Sequence, residues 1–276
     1  MNTAYDLIAL DMDGTLLNSK KEVSPGNIDA IRQALSAGKY VVLCTGRGRD
    51  ELNDYPELLS SVPYGICESG SLIMDFRTDT IIHNEAIPPQ YLDAIFDAAE
   101  AEDAASFVLS QGKSLLSPYY LEHIEDYLMG LYRPMYERIA TLVPDVRSYW
   151  SASGCPIEKF NLYHRSAASR QRSLDRLASL PLTFSFSEES SLEISPPGIT
   201  KATGLTELCR YLKVPLSRTI SIGDADNDLD VLKTAGLAIA MGNANDHVNA
   251  IAHCRAADND HDGCREAILR YLLEAV

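Results

Sequence analysis

The chain has 276 residues, 46% of them hydrophobic and 23% charged. That is the balance of a folded globular protein with room for one large α/β domain or two unequal ones, and it excludes wholesale disorder. Lys and Arg number 24 against 39 Asp and Glu, a formal net charge of −15; such a surface repels polyanions, so no nucleic-acid partner is expected, and any small phosphate must meet a local basic or metal-centred site. The six cysteines, at 44, 67, 155, 209, 254 and 264, form no Cys-x-x-Cys pair and sit among apolar residues, as in Val42-Leu43-Cys44 and Leu208-Cys209. Reduced, mostly buried thiols of a cytoplasmic protein are expected, without disulfides or zinc. Met1–Asp6 carry no basic segment or apolar core, so no signal peptide is expected, and no apolar run approaches the roughly 20 residues of a membrane span.

Tyr5 to Leu10 reads as a buried strand stopped by Asp11. Ser24-Pro25 offers an N-cap and a proline at the first helical position; Ile28, Ile31 and Leu35 follow at helical spacing, and Gly38 closes the helix. Tyr40 to Cys44 is a second strand, ending at Thr45-Gly46-Arg47, and Tyr64 to Cys67 a third. Strand, helix and strand with short connections predict a parallel sheet. After Ser71 the texture changes. Ser71–Met74 with Ile81–His83, and Phe107–Ser110 with Ser114–Leu116 across Gln111-Gly112, read as hairpins. Leu92, Ile95, Phe96 and Ala99 mark a helix after Pro88-Pro89, and Glu158–Tyr163, Leu182–Phe186 and Leu192–Ile194 are further strands. This middle third reads as an α+β insert with an antiparallel sheet. From Pro197 the parallel rhythm returns: a helix from about Thr200 to Leu212, a strand Thr219–Ile222 ending at Gly223-Asp224, a helix Asp228–Thr234, a strand Leu237–Ala240 and a terminal helix Cys264–Ala275. The expected fold class is α/β, a doubly wound Rossmann-like parallel core built from residues 1–84 and 193–276, with an α+β cap domain inserted at 85–192.

Ligands of open parallel sheets bind beyond the carboxyl ends of the strands. Three strand ends here are polar: Asp11-Met12-Asp13-Gly14-Thr15, Thr45-Gly46-Arg47, and Gly223-Asp224-Ala225-Asp226-Asn227-Asp228. If these strands are neighbours, up to four carboxylates crowd one crevice, which is costly unless protons or a cation compensate. Hard oxygen donors with open positions suit Mg²⁺, which bridges to phosphate. The bland alternative is that these are ordinary capping and turn residues; the agreement of three strand ends weighs against it. The alternation Asp224, Asp226, Asp228, Asp230 is not an EF-hand loop, because Leu229 and Ala235 stand where Gly and Glu are needed. Gly46-Arg47-Gly48 begins like a dinucleotide fingerprint but lacks its third glycine.

The four segments together resemble the haloacid dehalogenase-like (HAD) phosphatases. Asp11-Met12-Asp13-Gly14-Thr15-Leu16-Leu17 is similar to their first motif, Leu43-Cys44-Thr45-Gly46-Arg47 to the second, Gly198-Ile199-Thr200-Lys201 to the third, and Gly223-Asp224-Ala225-Asp226-Asn227-Asp228 to the fourth. Their order and spacing resemble the Cof-type branch, which carries its cap between the second and third motifs. The resemblance implies that Asp11 is the nucleophile and Asp13 the general acid and base. It implies Mg²⁺ held by Asp11, the Asp13 backbone carbonyl and Asp224, with Asp228 in an outer-sphere metal role. Thr45, Gly46, Lys201 and Asn227 would bind the phosphoryl group, with Lys201 also offsetting the charge of Asp11. Ser69-Gly70 departs from an Asn-Gly common in the family, and Ala202 follows Lys201 where Gly is common.

The activity implied is a Mg²⁺-dependent phosphatase of small phosphorylated metabolites, sugar phosphates or phosphorylated cofactors, acting through an aspartyl phosphate. A phosphomutase of the same fold and a non-catalytic phospho-switch are the alternatives; Asp13 and the long insert weigh against the switch. Neither a membrane nor a nucleic acid is an expected partner, and homo-oligomerisation stays open. Gln111-Gly112-Lys113, Cys155-Pro156, Glu158 and Lys159 are candidates for lining the cleft or simply for its surface.

Overall fold

The computed structural model describes residues 4–187 and 189–274, so the expectations placed on Met1–Thr3 and Ala275 lie outside the described residues. The chain forms two compact units. The first comprises Met1–Gly46, Tyr55–His83 and Thr200–Val276; the second comprises Arg47–Asp54 and Asn84–Ile199.

The first unit is built on an eight-stranded sheet, in spatial order Cys254–Arg255, Leu237–Ala240, Thr219–Gly223, Leu7–Leu10, Tyr40–Cys44, Tyr64–Cys67, Leu72–Asp75 and Thr80–Asn84. The first six run parallel, and Leu72–Asp75 turns back antiparallel. The first strand in sequence therefore lies mid-sheet, where the winding reverses direction, as in a doubly wound fold. Its four residues are all apolar because both faces are covered: Leu7 and Ala9 pack with Leu205 and Leu208 of the helix Lys201–Leu212, and Ile8 and Leu10 on the opposite face are equally inaccessible. Such strands read as continuous apolar runs rather than as alternation.

Local signals set the helices that frame the site. Ser24 caps Pro25–Ser36, its hydroxyl accepting from the Asn27 amide at 3.0 Å. Thr200 and Thr203 form a reciprocal capping box at the start of Lys201–Leu212, which fixes Lys201 at the first helical position. At the chain's end, a short α-helix Gly263–Ala267 passes into a π-helix Ile268–Leu273, in place of the single regular helix expected over 264–275.

The second unit holds a six-stranded sheet, in order Thr183–Ser185, Ser191–Ser195, Lys159–Tyr163, Ala105–Ser110, Lys113–Leu116 and Thr141–Leu142. All neighbours pair antiparallel except the last two. One face packs into a core shared by the helix Pro89–Ala101, Leu174 and Leu177 of the helix Ala167–Leu177, and Phe160, Leu162, Leu192 and Ile194. Phe96 and Phe160 meet there edge to face, with ring centres 5.0 Å apart.

The boundaries differ from those expected. The strand Ser191–Ser195 belongs wholly to the second sheet, so the insert does not end at 192. The stretch 47–54, expected with 1–84, groups with the second unit through polar contacts. Tyr136 Oη donates to Glu51 Oε1 at 3.0 Å, Arg138 pairs with Asp54 at 2.6 Å, and the Asp50 amide donates to the Gly112 carbonyl at 3.0 Å. These partners lie 50 or more residues away in sequence, beyond the reach of any local pattern. All six cysteines are free thiols, four buried and two half-buried. Among the described residues no helix is long and apolar enough to cross a membrane.

Candidate active site

Asp11 follows the central strand Leu7–Leu10. The parallel neighbours on either side end in Cys44-Thr45 and Gly223-Asp224, so three polar segments meet at one carboxyl edge. Side-chain oxygens of Asp11, Asp224 and Asp228 all lie within 4.8 Å of one another. Lys201 Nζ spans two of them, donating to Asp11 Oδ1 at 2.5 Å and to Asp228 Oδ1 at 2.6 Å. Asp228 is held from its other oxygen by the amides of Asp224 and Ala225, at 3.0 and 3.3 Å. Thr15 Oγ1 donates to Asp224 Oδ1 at 3.0 Å.

Three carboxylates around one ammonium, buried except for the half-buried Asp224, carry a large electrostatic cost, and the proton affinities of Asp11 and Asp224 show it. Burial, then the charges of Asp228 and Asp224, drive Asp11 well above the ordinary carboxylate range against the pull of Lys201. Burial and Asp228 push Asp224 up to about 6. Burial alone would lower Lys201, but Asp11 and Asp228 hold it well above its ordinary value, so it stays an ammonium. Cys44 is pushed up to about 12 by burial, with Asp228 and Asp11 adding to the rise against Lys201, and is an inert thiol at the crevice floor.

The backbone around the crevice is specialised. Gly14 has φ +80, and a Cβ there would lie 2.4 Å from Asp224 Oδ2, so only glycine lets the first loop approach the fourth motif. At the end of the third strand, Glu68, Ser69 and Gly70 take φ of 54, 57 and 107 in succession, and the Ser69 amide donates to the Thr45 carbonyl at 3.0 Å. Two consecutive non-glycine residues in the left-handed region cost on the order of 1–3 kcal/mol each, strain that concentrates at ligand sites.

The predicted residues fall into groups. Asp11, Asp224, Asp228 and Lys201 form one cluster, buried except for the half-buried Asp224. Asn227 lies in the turn Asp226–Asp228, and its Oδ1 is buried with no hydrogen-bond partner. Thr45 is buried beside Cys44, its amide bonded to the Ile66 carbonyl at 2.8 Å, and Gly46 is half-buried next to it. The Asp13 carboxylate lies on Lys21 Nζ at 2.8 Å and not in the Lys201 cluster, although its charge still raises Asp224. Arg47 groups with the second unit, its Nη1 lying 3.4 Å from Met135 Sδ. Lys21, Thr15 and Asn243 were not singled out from sequence; Asn243 Nδ2 donates to the Gly14 carbonyl at 2.8 Å. Thr15 stood inside the first motif, whereas Lys21 sits in a polar Ser-Lys-Lys-Glu run that carries no signal of its own.

A family model described as haloacid dehalogenase-like hydrolase matches residues 8–268. The chain belongs to that family. It is an enzyme, a HAD-type phosphoric monoester hydrolase of the Cof-type branch. It is 28% identical over 288 residues to phosphatase YwpJ of Bacillus subtilis, covering 97% of this chain and 99% of that one. Identity is 26% over 280 residues to the pyridoxal phosphate phosphatase YbhA of Escherichia coli, covering 97% and 98%. Among solved structures, a haloacid dehalogenase-like hydrolase from B. subtilis superposes with a TM-score of 0.85 at 26% identity, over 96% of this chain and 99% of that one.

The cluster fits the divalent metal that HAD phosphatases generally use. Asp11 and Asp224 present close, hard oxygens whose raised proton affinity marks uncompensated negative charge, and a cation relieves it. Both oxygens of Asp228 are already engaged, one by Lys201 and one by two amides, which suits a supporting position rather than direct ligation.

Proposed function

We propose that the protein is a Mg²⁺-dependent phosphatase of small phosphorylated metabolites, sugar phosphates or phosphorylated cofactors, working in the cytoplasm through an aspartyl phosphate on Asp11. The observation that carries this reading is the Lys201 ammonium bridging Asp11 and Asp228 beside Asp224. It leaves an anionic nucleophile aligned and partly neutralised at the switch point of a parallel sheet. The relatives' names support a small-molecule substrate: one acts on pyridoxal phosphate, and another, YcsE of B. subtilis, on 5-amino-6-(5-phospho-D-ribitylamino)uracil.

In this mechanism the free oxygen of Asp11 attacks phosphorus and the bond to the leaving oxygen breaks. Asp13 gives its proton to that oxygen. Asp13 then takes a proton from water, whose oxygen attacks phosphorus; the bond to Asp11 breaks and phosphate departs. Lys201 keeps Asp11 oriented and balances charge as the phosphoryl group arrives. Thr45, the Gly46 backbone and Asn227 hold phosphoryl oxygens, and the Asn227 amide, with its buried open oxygen, is free to turn to such a role. Mg²⁺, held by Asp11, the Asp13 carbonyl and Asp224 with Asp228 behind, supplies charge neutralisation for nucleophile and phosphoryl group. The inserted unit acts as the cap that selects the leaving group.

Hydrolysis of nitrophenyl phosphate by purified protein tests the reading. Turnover should require added Mg²⁺ and vanish with a chelator; full activity in metal-free buffer contradicts it.

A further inference from the structure

The loop after the central strand carries a lysine that has no part in the mechanism above. Lys21 Nζ donates to Asp13 Oδ1 at 2.8 Å, with the two side chains 30 and 35% exposed. An ion pair so open to water adds little to folding stability. Its geometry is nonetheless closely specified. Lys21 has φ 60, in the left-handed region that a long side chain rarely enters. Its amide donates to the Asn18 carbonyl at 2.9 Å, and the Asn18 amide donates to the Glu22 carbonyl at 2.9 Å. The Asn18 side-chain oxygen accepts from the Lys20 and Glu22 amides at 2.9 and 3.0 Å. This turn leaves Lys20 in solvent and sets its neighbour Lys21 on Asp13.

The loop is braced from within the first unit. Leu17, fully buried, bridges Asp13 on one side and Val23 on the other. Asn259 Nδ2 donates to the Leu17 carbonyl at 2.9 Å, and Asp260 Oδ1 accepts from the Ser19 amide at 2.9 Å. Strained backbone that its surroundings hold in place concentrates at functional positions. Here the strained residue touches the carboxyl group to which the mechanism gives both proton transfers. That group faces a geometric demand. In-line displacement puts the leaving oxygen on the far side of phosphorus from Asp11, so its proton donor must stand clear of Asp11. Lys201 opposes this, because its ammonium lies 2.5 Å from Asp11 Oδ1 and attracts a neighbouring carboxylate. A second cation, bonded to Asp13 from the loop, counters that pull.

We propose that Lys21 is a positioning residue for phosphoryl transfer: its ammonium, set by the left-handed turn, holds the Asp13 carboxyl group clear of Asp11 and in reach of the leaving oxygen. This rests on the phosphatase reading above. Asp13 gives its proton to the leaving oxygen and regains one from the attacking water. Lys21 keeps its own protons throughout, and its effect passes through Asp13 alone.

The test compares kcat/KM, which covers the steps through phosphorylation of Asp11, for phenyl phosphate and nitrophenyl phosphate. The two esters are close in shape and differ in the basicity of the leaving oxygen. Lys21→Met keeps the side chain's bulk and removes its charge. It should lower the phenyl-to-nitrophenyl ratio about tenfold, part of the roughly 10²–10⁴-fold that a well-placed acid supplies. Lys21→Arg, which keeps a cation in the same turn, should restore most of the ratio and guards against a folding defect. In an Asp13→Asn background, Lys21→Met should change the ratio no further, because the group it positions is gone. An unchanged or raised ratio, equal loss on both esters, or an undiminished further loss in the Asp13→Asn background overturns the proposal and leaves the phosphatase reading standing. Wild type that hydrolyses neither ester removes the phosphatase reading, and the proposal with it.

Discussion

The two units bury clusters of charge that look alike in composition and differ in balance. In the crevice of the first unit, one lysine faces Asp11, Asp224 and Asp228, and the proton affinities of Asp11 and Asp224 are raised. On the sheet face of the second, Lys159 faces Glu193, whose proton affinity is lowered. The first cluster is an electrostatic debt that a metal cation can relieve, and that unrelieved charge is its reactivity. The second is balanced within itself, Glu193 being held by Lys159 and by the Ser185 and Ser187 hydroxyls. Uncompensated charge belongs to chemistry; compensated charge belongs to the fold.

Substitutions on the two sides should break this contrast in different ways. The largest effect is expected from Asp11→Asn, which removes the nucleophile: turnover of every ester should fall by at least about a thousandfold in steady-state assays, with folding intact by circular dichroism. Asp13→Asn should slow the first step with a sugar phosphate by about 10²–10⁴-fold, while nitrophenyl phosphate, whose leaving group needs little protonation, still phosphorylates the protein.

Glu193→Gln strands Lys159 in the second unit and should cost about 3–5 kcal/mol in denaturant unfolding. The sign of its pH dependence follows from the lowered proton affinity of Glu193. The stabilisation is present above the ordinary value of 4.5 and is lost as pH falls through the lower folded value, so wild type and variant should converge in Tm only in acid. In the first unit the shift is upward, so the loss in acid begins at higher pH. Asp224 titrates at about 6 without metal, so Mg²⁺ affinity measured by calorimetry should weaken as pH falls below that point, by about tenfold per unit. Asp224→Asn should bind Mg²⁺ more weakly and lose that slope.

Much of the first unit was legible because its information is local. Parallel strands buried on both faces write themselves as unbroken apolar runs, as in Leu7–Leu10 and Tyr40–Cys44, and their polar ends announce the crevice. Lys201 was legible for another reason: Gly198-Ile199-Thr200-Lys201 resembles a family motif, and the structure shows Thr200 and Thr203 pinning the helix start that carries it. The second unit was harder to read because its decisive contacts are long in sequence. Glu51 reaches Tyr136, and Lys159 reaches Glu193, with nothing at either end to signal the other. Asn161 sits in Lys-Phe-Asn-Leu-Tyr, an alternating strand in which a polar residue reads as solvent-facing, yet it is buried. Lys21 was missed because its partner Asp13 lies across a loop rather than one helical turn away.

The central claim is that the unbalanced crevice transfers the phosphoryl group to Asp11 before water takes it. Rapid-quench mixing of the Asp13→Asn protein with labelled nitrophenyl phosphate and Mg²⁺, followed by mass mapping of the acid-quenched protein, tests this directly. The account predicts a burst approaching one phosphoryl group per chain, located on the peptide containing Asp11 and absent when Asp11 is also changed to Asn. Label on another residue, or a burst that survives the second substitution, would contradict it.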